Sequence, residues 1–239
     1  MNIITIIFYI SLFYFFIFFL YIILYKSNFL STTKITTPDQ ALEELIRGNK
    51  KYNSILNFFI KANRKSVATI QRPFAIVLSC SDSRVPTEII FNQMNLGSLF
   101  IIRNAGNVVD GVVLGSIEYG VEQLGAILVI VLGHERCGAI TATIDSILER
   151  KPEQSGHIKD IINALTPAAH KILGEHNLKE PISEYLKTEI IHQVVKENVK
   201  LIIQDLANHS EIINKALLLN KIKVVGAFYD LDDGNVHII

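Results

Sequence analysis

Four short apolar runs along the chain predict buried β-strands. Runs of this length and composition are typical of strands that are covered on both faces of a parallel sheet. The runs are Phe74–Leu78, Leu99–Ile102, Ala126–Leu132 and Lys223–Tyr229. The turn-forming sequence at residues 232–235 then predicts an edge strand over Val236–Ile239.

Helical patterns lie between these runs. Apolar residues recur at helical spacing over Val112–Leu124 and Ala139–Glu149, and the stretch Ser183–Leu219 predicts two helices parted near Asn208. Alternating strands and helices imply parallel βαβ units. The sequence therefore predicts an α/β fold with a mainly parallel central sheet, of about four strands plus an edge strand, flanked by helices. Ligands in such sheets bind beyond the carboxyl ends of the strands.

The first 26 residues predict a hydrophobic N-terminal helix ahead of this sheet. No charged residue occurs over Ile3–Tyr25, and roughly 20 apolar residues are enough for a helix to cross a bilayer. Asn2 stands where a signal peptide has a basic residue, and no small-residue cleavage site follows, so an uncleaved membrane anchor is favoured over a cleaved signal. Lys26 and Lys34 place the rest of the chain in the cytoplasm by the positive-inside rule, while export, for example to a periplasm, stays the alternative.

Length and charge narrow the range of functions. The chain has 239 residues, which suits one domain plus an appendage. We divide it into residues 1–26 as an anchor or signal segment, 27–37 as a polar linker and 38–239 as one α/β domain. Lys plus Arg and Asp plus Glu each total 23, and no basic stripe occurs, which argues against nucleic-acid binding.

The two cysteines of the chain lie at the ends of predicted strands. Cys80 follows the first strand, and Cys137 follows the third strand, three residues after His134. All three side chains can therefore reach one point at the carboxyl edge of the sheet. Two cysteines and one histidine form a catalytic zinc pattern that leaves a fourth position open, and the helix start near Cys137 favours a thiolate there. The alternatives are a disulfide or two buried thiols, but neither needs a histidine beside the cysteines.

A charged pair follows the first cysteine. Asp82 and Arg84 are two residues apart on a predicted turn, close enough for a charge-assisted hydrogen bond. An aspartate held by an arginine stays ionised and can accept a hydrogen bond from a hydroxide on the zinc. The same aspartate could instead bind the metal as a fourth ligand and close the site, and a plain ion pair of the turn is a third interpretation.

Two segments resemble the zinc motifs of the β-class carbonic anhydrases. The first is Cys-Ser-Asp-Ser-Arg-Val-Pro-Thr-Glu over residues 80–88, and the second is Gly-His-Glu-Arg-Cys-Gly over residues 133–138. The segments 97–107 and 225–230 also resemble this family. Two motifs in family order are far more specific than either alone, so residues 38–239 are identified as a β-carbonic-anhydrase-like catalytic domain.

The resemblance implies an activity, a metal and a set of site residues. Cys80, His134 and Cys137 would hold one Zn2+ per subunit, and a zinc-bound hydroxide would hydrate CO2 reversibly to bicarbonate and a proton, the reaction of a lyase. The Asp82–Arg84 pair would act beside the metal as the catalytic dyad. The resemblance also implies a homodimer or tetramer with substrate clefts at the subunit interface. The resemblance further places four residues at positions that line the substrate cleft in some members, and core packing is the alternative role for them. They are Gln71, Phe100, Ala105 and Tyr119.

Two features of the sequence refine these expectations. Family members with a noncatalytic bicarbonate pocket carry a Trp three residues before the first cysteine, but this chain has Val77 there and no Trp at all. We therefore expect an open, water-bound site rather than bicarbonate-gated closure. Two thiolates also cancel the formal charge of Zn2+, whereas three neutral histidines would not, so we expect activity to rise through mildly alkaline pH.

The alternative to an enzyme comes from another functional class. It is a noncatalytic sensor at a membrane that binds zinc or CO2/bicarbonate. The intact Asp82–Arg84 pair argues against a site that binds but does not turn over. No proton shuttle is assigned, because the remaining histidines are scattered along the chain.

Overall fold

The structure of the protein is a computed structural model that describes residues 3–29, 46–47, 64–65, 67–93, 95–148, 156–176 and 183–239. It divides the chain into two compact units, Met1–Phe58 and Phe59–Ile239, and each is described by itself. The predicted linker after position 29 lies outside the described residues. The domain boundaries at 26 and 37 therefore stay a prediction.

The first unit contains the predicted N-terminal helix. This helix, α1, spans Ile3–Phe29 and therefore includes the first three residues of the predicted linker. Its side chains from Phe8 to Leu20 are exposed. Over the part of the chain that the structure describes, no helix is long and apolar enough to cross a membrane. The membrane anchor predicted for residues 1–26 is thus not supported by the structure.

A five-stranded sheet forms the centre of the second unit. Its strands are β1 (Ala75–Cys80), β2 (Leu99–Asn104), β3 (Leu128–His134), β4 (Lys223–Tyr229) and β5 (Val236–Ile238). The order is β2-β1-β3-β4-β5, and all neighbours pair in parallel except β4 with β5, which is antiparallel. The predicted mainly parallel sheet with an added edge strand is confirmed. Pairing extends further than predicted, because Cys80 pairs with Asn104 and His134 pairs with Tyr229.

Helices flank this sheet. They are α2 (Thr87–Ile90), α3 (Gly111–Glu122), α4 (Gly138–Ile147), α5 (Ile158–Glu175), α6 (Glu184–His209) and α7 (Glu211–Leu218), and a 3-10 turn follows β2 at Ala105–Asn107. The predicted break in the long C-terminal helical stretch falls at Ser210, whose hydroxyl accepts a hydrogen bond from Ile213 N–H at 3.1 Å and caps α7. Helix α5, which contains Pro167, is not predicted by the sequence patterns.

Helix α6 packs closely on the two central strands because glycines face it. A Cβ atom on Gly133 would lie 2.6 Å from Val195 Cγ1, and one on Gly226 would lie 2.8 Å from Val199 Cγ1. These distances are shorter than van der Waals contact, so only glycine fits at either position. The close approach fixes the last residues of β3, where a predicted zinc ligand lies.

Three apolar clusters pack on the sheet, and two of them contain residues of its long flanking helices. One cluster contains residues of β1 and β3 with α3, α6 and α7, including Ile76, Val129 and Leu206. The other includes both cysteines and residues of α4, α5 and α6, such as Ile144, Leu165 and Val194. The cysteines are therefore part of a packed apolar environment.

Candidate metal centre

Three predicted ligands converge at the carboxyl ends of β1 and β3. Cys80 is the last residue of β1, His134 is the last residue of the adjacent β3, and Cys137 precedes the first turn of α4. Their ligand atoms all lie within 4.8 Å of one another. The three residues are 5%, 0% and 2% exposed, respectively. The fold thus brings these side chains to one buried point, as the sequence predicts.

The turn between His134 and Cys137 sets the direction of the imidazole. His134 Nδ1 lies 2.8 Å from the carbonyl oxygen of Glu135. A carbonyl can only accept, so Nδ1 carries the proton and Nε2 keeps its lone pair. Nε2 is buried and has no hydrogen-bond partner among the residues that the structure describes. A buried polar atom without a partner costs free energy, and a metal ion would satisfy it.

The two sulfurs form a hydrogen-bonded pair that favours a negative charge and would attract a cation. The Cys137 thiol donates a hydrogen bond to Cys80 and lowers the pKa of the Cys80 thiol to about 4, against the effect of burial. The same contact, together with burial, raises the pKa of Cys137. Without a cation the pair therefore shares one proton and one negative charge. A bound metal ion displaces that proton, which is how thiolate sites couple metal binding to proton release.

Gly106 completes the surroundings of Cys80. Its backbone N–H donates to Cys80 Sγ at 3.4 Å, which favours the thiolate. Gly106 has a φ of +76°, and a Cβ atom there would lie 2.9 Å from Leu165 Cδ1. The position therefore requires glycine for its backbone conformation and for its close contact. Gly106 lies in the family-like segment 97–107, but the sequence alone predicts no role for it.

The donor set fits zinc. Two sulfurs and one imidazole nitrogen suit a soft or borderline metal, and three protein ligands leave one position open, as in catalytic zinc sites. The unpartnered Nε2 and the low pKa of Cys80 both favour a cation at this point. The residues present thus fit the Zn2+ that the sequence predicts.

The charged pair lies beside the metal ligands. Arg84 donates from Nε to Asp82 Oδ1 at 3.0 Å and from Nη2 to Asp82 Oδ2 at 2.7 Å, and its backbone N–H also donates to Oδ1 at 2.9 Å. The side-chain hydrogen bond of Arg84 is the main cause that lowers the pKa of Asp82 to about 2. Asp82 Oδ2 is 4.0 Å from His134 Nε2. An ionised carboxylate is therefore fixed next to the nitrogen that faces the metal position.

Arg103 fixes the backbone of the same loop. Its Nε donates to the carbonyl of Cys80 at 3.0 Å, and its Nη2 donates to the carbonyl of Asp82 at 2.7 Å. The loop that carries the first ligand and the dyad is therefore attached to β2. Arg103 lies in the same family-like segment, 97–107, but the sequence alone does not predict this contact.

The four predicted substrate-cleft residues do not form one group in a single chain. Gln71 and Tyr119 line a surface groove at the amino ends of the strands, and none of the three metal ligands lines it. Phe100 lies near Tyr119, with ring centroids 6.3 Å apart. Ala105 precedes Gly106, whose N–H donates to Cys80. Within one chain, only Ala105 of the four is adjacent to a residue that contacts a metal ligand.

Comparisons with known proteins identify the family of this site. A family model described as carbonic anhydrase matches residues 75–236. A carbonic anhydrase of Mycolicibacterium smegmatis is 41% identical over 175 residues, which are 73% of this chain and 79% of that protein. The structure of a β-carbonic anhydrase from Coccomyxa in complex with acetazolamide superposes with a TM-score of 0.70 at 26% identity, over 83% of this chain and 86% of that one. The chain belongs to the β-class carbonic anhydrases.

Membership of this family confirms the main predictions from the sequence. β-class carbonic anhydrases are zinc lyases that interconvert CO2 and bicarbonate, so the predicted fold, metal and reaction are all confirmed. A further solved structure, described as one of two tetrameric β-carbonic anhydrases from Sordaria macrospora, has a TM-score of 0.66 at 22% identity over 83% of this chain and 94% of that one. This last similarity shows the fold alone.

Proposed function

We propose that this carbonic anhydrase hydrates CO2 at one zinc centre per subunit, held by Cys80, His134 and Cys137. The observation that carries this proposal is the convergence of the three ligand atoms within 4.8 Å around a buried imidazole nitrogen with no partner in the described part of the chain. Zinc, when bound, supplies a Lewis acid that makes water nucleophilic near neutral pH.

The side chains of the centre then act on the reactants. Asp82 accepts a hydrogen bond from the attacking water and thereby orients its lone pair toward CO2. Arg84 keeps that carboxylate ionised and in place with two side-chain hydrogen bonds. Because both carboxylate oxygens contact Arg84, this arrangement supports an open site, whereas Asp82 would have to leave Arg84 to become a fourth metal ligand. The buried Val77 at the position of the gating Trp is consistent with the open form.

The substrate cleft is proposed to form between subunits of a homodimer or tetramer. Gln71 and Tyr119 are exposed in the single chain and lie away from its own metal ligands, so they suit a cleft completed by a second subunit. Phe100 would extend the apolar wall beside Tyr119, and Ala105 would contribute from the side of the metal. CO2 is small and apolar, so such a wall suits it better than a charged surface would.

Stopped-flow CO2 hydration tests this function. The purified chain is expected to accelerate hydration, to lose the acceleration on treatment with a zinc chelator and to regain it when Zn2+ is restored. Stoichiometric zinc with no acceleration would contradict the proposal and would indicate a noncatalytic binding protein instead.

The location of the protein is a separate proposal that rests on the sequence alone. The uncharged run Ile3–Tyr25 supports association with a membrane, and the lysines that follow it favour a cytoplasmic catalytic domain over an exported one. Cell fractionation followed by extraction at alkaline pH would show whether the chain stays with the membrane. Recovery in the soluble fraction would contradict this location.

A further inference from the structure

One residue between two zinc ligands contacts the far end of the chain. Arg136 lies in the turn from His134 to Cys137 and has a φ of +51°, in the left-handed region that arginine rarely adopts. Its side chain forms two hydrogen bonds with Asp232, from Nη2 to Oδ1 at 2.6 Å and from Nη1 to Oδ2 at 3.2 Å. Asp232 belongs to the turn between β4 and β5, so the C-terminal hairpin contacts the ligand turn directly.

The backbone of Arg136 also contacts the catalytic dyad. Its carbonyl oxygen accepts a hydrogen bond from Arg84 Nη2 at 3.2 Å, and the same Nη2 donates to Asp82. A continuous series of contacts therefore runs from Asp232 through Arg136 and Arg84 to Asp82. A rotation of the Arg136 peptide would move a ligand and the dyad together.

We propose that Asp232 is a positioning residue, which holds the Arg136 turn so that both the zinc ligands and the Asp82–Arg84 dyad keep their working geometry. This inference rests on the proposed zinc centre. We call the paired side chains of Arg136 and Asp232 the turn clamp. Neither side chain of the turn clamp contacts a ligand atom, so its effect passes through the backbone of the turn.

The surroundings explain why the clamp orients the turn more than it stabilises the fold. Arg136 is 44% exposed and Asp232 is 70% exposed at their side chains, and exposed ion pairs contribute little to folding. The turn is already attached to the hairpin, since Glu135 N–H donates to Tyr229 O at 2.9 Å and Leu231 N–H donates to Glu135 Oε2 at 3.2 Å. A left-handed arginine nevertheless carries backbone strain, which persists only when surrounding contacts hold it. The two-point contact with Asp232 supplies part of that restraint, beside the ion pair of Arg136 Nη2 with Glu135 Oε2 at 3.1 Å.

The test compares five variants with the wild-type zinc enzyme. Asp232→Asn removes the charge of the clamp, and Arg136→Gly removes its other half at a position where glycine adopts a positive φ without strain. The double variant tests coupling between them. Asp233→Asn is the matched control, because Asp233 lies in the same turn and its carboxylate accepts hydrogen bonds from Asn235 rather than from Arg136. The measurements are the rate of zinc release to a chromophoric chelator, and kcat and KM for CO2.

Each single clamp variant is expected to release zinc faster and to lose kcat by about tenfold, the low end of the effect of outer-shell partners of metal ligands. KM should stay unchanged, because neither residue of the turn clamp is among the proposed cleft residues, and Asp233→Asn should match the wild type. The double variant should be no worse than either single variant. Asp232→Glu, which keeps a carboxylate, should recover part of the zinc retention.

Two results would overturn this inference while leaving the zinc function intact. One is an Asp232→Asn enzyme that retains zinc and kcat at wild-type values. The other is a double variant whose losses are the product of the single losses, which would mean that the two residues act independently. A wild-type chain that holds no zinc would instead overturn both the function and the inference. Circular dichroism of each variant separates a folding defect from a positioning defect. If Asp232→Asn does not fold, the zinc release and kcat of Asp232→Glu decide whether Asp232 is a positioning residue.

Discussion

Asp82 Oδ2 lies 4.0 Å from His134 Nε2, the buried ring nitrogen without a hydrogen-bond partner in the described part of the chain. This distance places an ionised carboxylate next to the point where the imidazole and the two sulfurs converge. It is longer than a direct hydrogen bond, so an atom between the two groups can contact both. The carboxylate is thus available to a reactant at the metal rather than engaged with its ligand.

The first prediction concerns Asp82→Asn. The amide has the size of the carboxylate but lacks its charge, so it neither pairs with Arg84 nor accepts as strongly from the attacking water. We expect kcat for CO2 hydration to fall by about 100-fold, the low end of the effect of a positioned acid–base group, while zinc content stays unchanged. Stopped-flow hydration and metal analysis of the same sample check this. Wild-type turnover in Asp82→Asn would remove Asp82 from the mechanism.

The second prediction concerns the pH dependence of hydration. Arg84 holds the pKa of Asp82 at about 2, so this carboxylate is ionised at every pH above that value and contributes no titration near neutrality. Two thiolates cancel the formal charge of Zn2+, so zinc acidifies water less here than with three histidines, where the pKa is about 7. We expect kcat to rise through mildly alkaline pH, and Asp82→Asn should lower this curve and move its midpoint to lower pH, because one negative charge beside the metal position is lost. A profile that is flat between about pH 6 and 9 would contradict this electrostatic argument.

The third prediction compares Gly106, which is closely packed, with Gly115, which has open space around it. Gly106→Ala places a Cβ atom 2.9 Å from Leu165 Cδ1 at a φ of +76°, so we expect a loss of about 1–3 kcal/mol in the free energy of unfolding, together with weaker zinc retention. Gly115 is the control, because a Cβ atom there meets nothing within 4 Å. Gly115→Ala in α3 should stabilise the protein by about 0.5–1 kcal/mol.

Thermal and denaturant unfolding of both variants compare these values. The zinc-release rate is measured in parallel, because Gly106 N–H donates to Cys80 Sγ and its displacement should weaken the ligand. If the Gly106→Ala and Gly115→Ala proteins are equally stable, the short contact near Leu165 relaxes without lowering the free energy of unfolding.

Local sequence patterns were sufficient for much of the fold and for the metal ligands. The buried strands are encoded as short apolar runs. The metal ligands lie at or just after the ends of those strands, so a parallel sheet brings the ligands to one edge. The ion pair of Asp82 and Arg84 is likewise a contact between near neighbours. Such features depend on a few adjacent residues, which a sequence displays directly.

Contacts between distant segments could not be predicted in this way. Arg136 and Asp232 are 96 positions apart, and nothing in either segment indicates the other. The need for glycine at position 106 depends on Leu165 of α5, a helix that was missed because Pro167 interrupts its pattern. The predicted cleft residues Gln71 and Tyr119 lie away from the metal ligands of their own chain, because a sequence pattern does not give the distance between separate segments.

Zinc content under reducing conditions tests the central claim most directly. Metal analysis of the purified wild-type chain is expected to give one zinc per chain, and Cys137→Ser should lose most of that zinc, because serine is a far weaker ligand for Zn2+ than a thiolate. Asp233→Asn, prepared in parallel, should keep its metal. A wild-type chain without stoichiometric zinc, or a Cys137→Ser chain that binds as much zinc as the wild type, would contradict the account.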